Sequence, residues 1–287
     1  MDDRGITPAD RLWTPWRMAY VGNSSPASGC VFCEAPLSDD DVSNLILHRG
    51  QHCFVIMNLY PYNTGHLMVV PYEHSDDLAS LAPDARAEMA ELSASFSTGL
   101  KQVMGCDGMN LGMNLGSVAG AGIADHLHQH IVPRWKGDAN FMPIIGGTKV
   151  LPELIPATYG KLRAEVARRQ GDQSTATAVL VVPDWTGVYL VNGRLPEVSL
   201  TTDQPVWKAV STHLQPLVST LSLIGWAGSA STSVDQTTGL AFAYQVTPIS
   251  PENTLRLHPL TAIDDVMPSE EASLVRATWG RFAPPAG

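Results

Sequence analysis

The 287-residue sequence lacks any run of about 20 apolar residues, the length that a membrane-spanning helix requires. It opens with Met1–Arg4, which is not a basic region followed by an apolar stretch, so no signal peptide is expected. Positive charge is also scarce, because 18 Lys and Arg stand against 28 Asp and Glu, a formal net charge of −10. This balance argues against non-specific electrostatic binding of nucleic acid. We therefore expect a cytoplasmic protein that binds neither membranes nor nucleic acids.

Cysteine is rare as well, and four residues in a cytoplasmic chain of this size do not suggest a disulfide framework. Cys53 and Cys106 have apolar neighbours and are expected to fill core space. Cys30 and Cys33 form a C-x-x-C pair, whose spacing suits half of a tetrahedral zinc site. A redox pair or chance would give the same pattern.

Three histidines occupy every second position of one short segment: His126, His128 and His130. Alternation with period two is a strand signal, so all three imidazoles are predicted to project from one face of a β-strand. Imidazoles at this spacing can surround a small anion or bind a metal ion, whereas the alternative is a solvent-exposed histidine ladder. A functional site is favoured by the glycine-rich run before them, which contains Gly112, Gly116, Gly120 and Gly122.

Hydrophobic patterning predicts an α+β chain. In the first half we expect strands at 45–48, 53–57, 67–70 and 109–115, and helices at 76–104, with Pro83 early, and 150–169, interrupted near Pro156. In the second half we expect strands at 178–182, 187–191, 222–226, 241–246 and 255–257, and helices at 205–221 and 269–282. Residues 171–177 have linker composition, which divides the chain into domains 1–170 and 178–287.

The first part of the chain resembles the histidine-triad (HIT) superfamily, whose signature His-φ-His-φ-His-φ-φ matches 126–132 with Gln129 at one apolar slot. The segment 58–74, with its Asn-Leu-Tyr-Pro-Tyr-Asn-Thr-Gly-His core, looks like the block upstream of that signature. Segments 11–17, 119–122 and 133–142 resemble the branch that contains actinobacterial diadenosine tetraphosphate (Ap4A) phosphorylases. The resemblance implies a HIT-like antiparallel sheet with helices over about residues 8–170. The rest, expected to be a second, smaller α+β domain, carries no such resemblance and no assigned role.

The resemblance also implies nucleotidyl transfer, and the residue chemistry agrees, because neutral imidazole is nucleophilic near neutral pH. His128 corresponds to the family nucleophile, whose other ring nitrogen donates its proton to a backbone carbonyl. His130 corresponds to the residue that contacts the phosphate and assists the leaving group, while His66 is expected to pack or orient. We expect phosphorolysis of Ap4A or a related nucleoside polyphosphate, or hydrolysis if water replaces phosphate. The alternatives are a transferase or hydrolase for a nucleotide-linked metabolite, and a nucleotide-binding module without turnover.

Substrate contacts are expected from three further places. Asn58 matches the position that holds the ribose hydroxyls, although an Asx-turn explains it nearly as well. Main-chain amides can approach the α-phosphate, together with Asn114, where side chains are small or missing, at Gly120, Ala121 and Gly122. Trp135 is a candidate to flank the base, as are Phe54 and Phe141, although aromatic residues near a sheet are more often core.

Zinc-bearing relatives in the superfamily join two cysteines to two histidines in one site. This pattern maps to a Cys2His2 set, Cys30, Cys33, His74 and His126, and implies a closed, structural Zn²⁺ site. The alternative role of His126 is a hydrogen bond that orients the catalytic residues. A divalent cation that accompanies the substrate is a further option. The same resemblance leads us to expect a homodimer joined edge to edge.

Overall fold

The structure is a computed structural model, and it describes residues 29–119, 121–138, 153–170, 174–228, 240–249 and 255–284. These residues form a five-stranded and a six-stranded sheet with helices packed on both. The predicted α+β class is therefore confirmed. The aromatic segment 11–17, Gly120 and Phe141 lie outside the described residues.

The first sheet has the strand order β1-β2-β3-β5-β4, and every neighbouring pair is antiparallel. Its strands are β1 (Ile46–Arg49), β2 (Cys53–Met57), β3 (Leu67–Pro71), β4 (Gly108–Met113) and β5 (Gln129–Arg134). Two helices precede or interrupt it, α1 (Val31–Glu34) and α2 (Pro83–Met104). Helix α2 begins seven residues later than predicted, because Pro83 fits the first turn and restricts the residue before it.

The two faces of this sheet pack against different hydrophobic clusters. Side chains of β2 and β3 are buried on both faces. One face, with Val55, Val69 and Ile131, belongs to the core that also contains Met89 and Leu100 of α2. The other face packs Phe54, Met68 and Val70 against Phe32 of α1. His130 pairs directly with Met68 and therefore lies on the α1 face, because cross-strand partners share a face.

The second sheet has the order β11-β7-β6-β10-β9, with β8 paired to the start of β6. Its strands are β6 (Thr175–Val181), β7 (Gly187–Val191), β8 (Glu197–Ser199), β9 (Val218–Trp226), β10 (Leu240–Pro248) and β11 (Leu255–Pro259). The helices around it are α3 (Ile155–Gln170), α4 (Val206–Leu214), α5 (Ile263–Val266) and α6 (Ser269–Phe282). Strands β6 and β10 are parallel, and the other pairs are antiparallel.

Three predictions for the elements around this sheet are wrong. The helix expected over 205–221 ends at Leu214, and a 3₁₀ turn over Gln215–Leu217 leads directly into β9. Proline at position 216 has no N–H for the helical ladder, which explains the early end. Strand β6 starts at Thr175, inside the expected linker, and Pro156 lies in the first turn of α3, where proline is tolerated, rather than interrupting a helix.

Helix α3 lies between the two sheets and contacts both. The Tyr159 hydroxyl donates to the carbonyl oxygen of Ile46 in β1, at 2.9 Å. On the other side a Cβ added to Gly160 would lie 3.0 Å from backbone atoms of Gly225 and Trp226 in β9. The two halves thus share one continuous hydrophobic core. Among the described residues, no helix combines the length and apolar composition needed to cross a bilayer.

Candidate active site

The three triad histidines converge, but they do not share one strand. Only His130 belongs to β5, because ladder pairing with β3 and β4 begins at Gln129. The residues before it are held from outside the ladder, by the Leu127 N–H donating to the carbonyl oxygen of Ser75 at 2.6 Å. The ring centroids of His128 and His130 are nevertheless 4.9 Å apart. The expectation of a single three-histidine strand is therefore wrong, while the predicted clustering is correct.

His128 is held in one tautomer. Its Nδ1 lies 2.9 Å from the carbonyl oxygen of His126, and since a carbonyl can only accept, Nδ1 carries the proton. In the neutral ring the lone pair is therefore on Nε2, the atom that a nucleophilic imidazole needs. The residue is buried to 6% exposure. This is the arrangement that the sequence predicted for the nucleophile.

His66 fixes the tautomer of His130. The Tyr62 backbone N–H donates to His66 Nδ1 at 3.0 Å, so the neutral His66 ring carries its proton on Nε2. That Nε2 lies 2.9 Å from His130 Nδ1, which must then accept. The remaining proton of His130 is on Nε2, a buried atom with no hydrogen-bond partner among the described residues. Burial, with His128 as a second cause, lowers the pKa of His130 to about 4, so the ring is neutral at physiological pH.

The predicted metal ligands form one cluster. The four ligand atoms of Cys30, Cys33, His74 and His126 all lie within 4.8 Å of one another. Cys30 Sγ is 3.3 Å from His126 Nδ1, and Cys33 Sγ is 3.2 Å from His74 Nδ1. Zinc–sulfur and zinc–nitrogen bonds at tetrahedral angles imply separations of about 3.6 Å, so the donor set fits zinc.

His126 belongs to both parts of the site. Its Nε2 donates to the carbonyl oxygen of Pro71 at 2.9 Å, which leaves the Nδ1 lone pair aimed at the two thiols. Its own carbonyl oxygen holds the proton of His128. His126 therefore connects the cysteine–histidine cluster, through its ring, with the expected nucleophile His128, through its main chain.

Of the expected substrate residues, Asn58 contacts a histidine of the site. The Asn58 side chain accepts from the Tyr60 N–H at 2.8 Å, as an Asx-turn does, and its Nδ2 is 3.3 Å from His66 Nδ1. Ala121 and Gly122 lie just before His126, and Asn114 follows β4. A Cβ at Gly122 would meet no described atom within 4 Å, so packing does not require a glycine there.

Two of the aromatic candidates, Phe54 and Trp135, lie in the described part of the chain. Phe54 is fully buried and stacks on Tyr72 with centroids 5.4 Å apart, so it is a core residue and cannot flank a base. Trp135 is half-buried against the larger hydrophobic core. Its ring has no contact with a triad ring among those described.

Two groups of residues were missed at the sequence level. Phe32, between the two cysteines, places its ring 5.0 Å from the His128 ring. Asp138 binds the Arg134 guanidinium at 2.7 Å and the Asn63 amide at 2.9 Å, which ties the turn before His66 to the end of β5. The Arg134 guanidinium is the main cause that lowers the pKa of Asp138 to about 2. No spacing signal in the sequence connects these positions.

Comparison with known proteins agrees with this geometry. The HIT domain family model matches residues 41–137. A Mycobacterium tuberculosis protein named AP-4-A phosphorylase is 44% identical over 179 residues, which cover 58% of this chain and 91% of that protein. Adenylylsulfatase HINT3 of Arabidopsis thaliana is 30% identical over 118 residues, 41% of this chain and 58% of that protein.

Among solved structures, a zinc-bound histidine triad family protein from Mycobacterium smegmatis aligns with 25% identity and a TM-score of 0.40. The alignment covers 50% of this chain and 98% of that one. The score is too low to support conclusions about the site. The sequence matches define the class: this chain belongs to the HIT family. Within that superfamily the chain belongs to the branch of the mycobacterial phosphorylase.

Proposed function

We propose that the protein transfers a nucleotidyl group through a covalent intermediate on His128, and that its reaction is the phosphorolysis of Ap4A or a related nucleoside polyphosphate. The observation that carries the proposal is the fixed tautomer of His128, whose Nδ1 proton is held by the His126 carbonyl oxygen. The name of the mycobacterial relative supports the choice of substrate and of phosphate as acceptor.

In the first half-reaction His128 Nε2 attacks the α-phosphorus, forms a nitrogen–phosphorus bond and breaks the bond to the leaving polyphosphate. The His130 Nε2 proton is the donor available to the phosphate and the departing oxygen, and its lack of a partner supports this role. Main-chain amides near Ala121 and Gly122, with Asn114, bind the α-phosphate oxygens, and Asn58 binds the ribose. The open space at Gly122 supports a close approach of substrate to the backbone.

In the second half-reaction inorganic phosphate takes the nucleotidyl group, so Ap4A yields ATP and then ADP. Water in place of phosphate would yield AMP. Two in-line displacements predict net retention of configuration at phosphorus.

We assign zinc to the cluster of Cys30, Cys33, His74 and His126, as supported by the type of the four donor atoms and by their closeness, all within 4.8 Å of one another. Zinc bound there supplies a closed structural centre that ties α1 to the triad segment. Four protein ligands leave no open position for substrate. The reduced thiols suit the cytoplasm.

We also propose a homodimer through β4. This strand lies at the edge of the first sheet, and among the described residues it pairs only with β5. Its middle is exposed, with Leu111 at 52% and the following Leu115 at 51% exposure. Pairing with the same edge of a second copy would satisfy the free backbone groups and cover these side chains. Light scattering at micromolar concentration should give twice the 30.8 kDa chain mass.

The test of the reaction is product analysis with Ap4A in the presence and absence of phosphate. ADP and ATP with phosphate, and no turnover by His128→Ala, are expected. AMP and ATP regardless of phosphate would identify a hydrolase. Tight nucleotide binding without turnover of any nucleotide would identify a binding module, and full activity of His128→Ala would reject the mechanism.

A further inference from the structure

Phe32 is the aromatic residue between the two thiols of the C-x-x-C motif. Its side chain is buried to 3% exposure. The ring lies edge-on to His126, with centroids 5.5 Å apart and an interplanar angle of 75°. It also lies 5.0 Å from the His128 ring at 51°. A residue of the metal-binding motif therefore contacts both a metal ligand and the nucleophile.

The His128 ring contacts two other aromatic rings, those of Phe32 and His130. Its hydrogen bond to the His126 carbonyl fixes one nitrogen, but a single hydrogen bond leaves the ring able to tilt about that contact. Phe32 limits the tilt on one side, and His130, at 4.9 Å and 78°, is the next ring in the row. Between these rings the Nε2 lone pair has a defined direction.

We propose that Phe32 is a positioning residue that aims His128 Nε2 at the phosphorus, an inference that rests on the proposed nucleotidyl transfer. The cost of misplacing a reacting atom is large, since an error of about 1 Å can lower the rate about 10²-fold. Removal of the Phe32 ring should therefore reduce the rate of attack while leaving the substrate-binding groups in place. It should lower kcat more than it raises KM.

The position of Phe32 in turn depends on the thiols. Helix α1 has only four residues, far fewer than an isolated helix needs to be stable. Cys30 and Cys33 at its start and within it reach His126 and His74, and these contacts fix where the helix lies. The metal-binding cluster thus acts on the nucleophile by two routes, the main chain of His126 and the ring of Phe32.

Phe54 provides a matched control from the same apolar cluster. It is more buried than Phe32, at 0% exposure, and its ring stacks on Tyr72. No contact between it and a triad ring is among those described. Phe32→Leu and Phe54→Leu remove a similar aromatic surface from one cluster, but only the first removes a ring from His128.

The experiment compares the full-length wild type, Phe32→Leu and Phe54→Leu, each with its zinc content measured. Kinetics with Ap4A and phosphate should show a fall in kcat of about 10- to 100-fold for Phe32→Leu, with KM within about twofold of wild type. Phe54→Leu should keep kcat within about twofold of wild type, even if its thermal stability falls as much as that of Phe32→Leu. A second readout is independent of turnover: long-range ¹H–¹⁵N NMR should find His128 as the Nδ1-protonated tautomer in both proteins. Its ring signals should be sharp in wild type and broadened by ring motion in Phe32→Leu, because the ring is then free to tilt.

Two results would overturn the inference. One is an equal loss of kcat in both variants, which would make Phe32 a core residue like Phe54. The other is a set of His128 ring signals that are as sharp in Phe32→Leu as in wild type. Absence of turnover by the wild type would instead reject the proposed function, and the NMR comparison would then still decide whether Phe32 positions the ring.

Discussion

His66 Nε2 lies 2.9 Å from His130 Nδ1, and both rings are buried. The His66→Phe variant keeps a ring but loses the donor, so His130 is free to carry its proton on the wrong nitrogen. We expect kcat to fall about 10²-fold, the usual scale for loss of one oriented hydrogen-bond donor to the transition state, with little change in KM. His66→Gln, whose amide can donate to the same atom, should retain more activity. Steady-state kinetics check this, and an unchanged kcat in His66→Phe would show that catalysis does not depend on His66 fixing the tautomer of His130.

Loss of a thiol should release the metal ion. We expect Cys33→Ser to bind less than one equivalent of zinc by elemental analysis and to melt at a lower temperature, since metal binding is coupled to folding. Cys106→Ala is the control, because this buried cysteine lies outside the cluster. It should keep its zinc. Equal zinc content in the two variants would contradict the assigned ligand set.

Glu88 of α2 binds three successive backbone N–H groups, those of Gln51, His52 and Cys53, at 2.8, 2.5 and 2.8 Å. Burial alone would raise the pKa of its carboxyl group, but these hydrogen bonds lower it overall. Glu88→Gln should reduce the free energy of unfolding by about 1–3 kcal/mol, whereas the exposed Glu91→Gln on the same helix should have little effect.

The pH dependence of this contribution follows from the lowered pKa. The stabilisation is complete above the unfolded-state pKa of about 4.3 and is lost as the pH falls through the lower folded-state value. Urea denaturation between pH 7 and 3 should therefore show wild type and Glu88→Gln converging in acid. A constant difference would argue against the carboxylate as the stabilising form.

His48 in β1 should make the protein sensitive to mild acid. Burial is the main cause that lowers its pKa, with Glu88 acting in the opposite direction and Arg163 in the same one. The unfolded chain, with a His pKa of about 6.5, then binds more protons, so the free energy of unfolding falls as the pH drops below that value. From pH 7.5 to 5, wild type should lose more stability than His48→Gln. The exposed His213→Gln should behave as wild type, and parallel pH curves for all three would contradict the prediction.

The crossing of α3 and β9 should not tolerate a side chain at Gly160. A Cβ there would lie 3.0 Å from two backbone atoms of β9, which cannot move aside cheaply. Gly160→Ala should cost about 1–3 kcal/mol in thermal or chemical denaturation. Gly280 in α6 has open space around its Cβ position, so Gly280→Ala should be neutral or stabilising by up to about 1 kcal/mol. A larger loss of stability in Gly280→Ala than in Gly160→Ala would show that α3 and β9 are not closely packed at this crossing.

The residues of the site were predictable where the sequence places them in short motifs. His126, His128 and His130, and the pairing of the two thiols with His74 and His126, follow from spacing together with the resemblance to the HIT superfamily. The boundaries of β5 were not predictable, because period-two alternation is the same in a paired strand and in an extended segment held by other contacts. The role of Phe32 was also hidden, since an apolar residue in a C-x-x-C motif reads as core.

The second sheet was predictable in its elements but not in its arrangement. Hydrophobic patterning identified β6, β7, β10 and β11 and helix α6, but no local sequence feature indicates that β6 and β10 run parallel. The prediction of a helix through residue 221 was wrong because the apolar residues of 215–221 are compatible with both the helical and the strand period. Pairing with the neighbouring strand β10 stabilises the strand conformation of β9. Likewise, aromatic content alone could not show that Phe54 is fully buried in the core and is not a base platform.

The placement of α3 has a consequence for synthesis on the ribosome. The five strands around the triad have all been made once Arg134 has emerged, but the side of α3 that carries Gly160 packs on β9, which ends at Trp226. Until β9 has been synthesised, that side of the helix is exposed to solvent. A chain that ends shortly after Gln170 would keep this surface of α3 exposed. We therefore expect such truncated chains to bind chaperones or to aggregate.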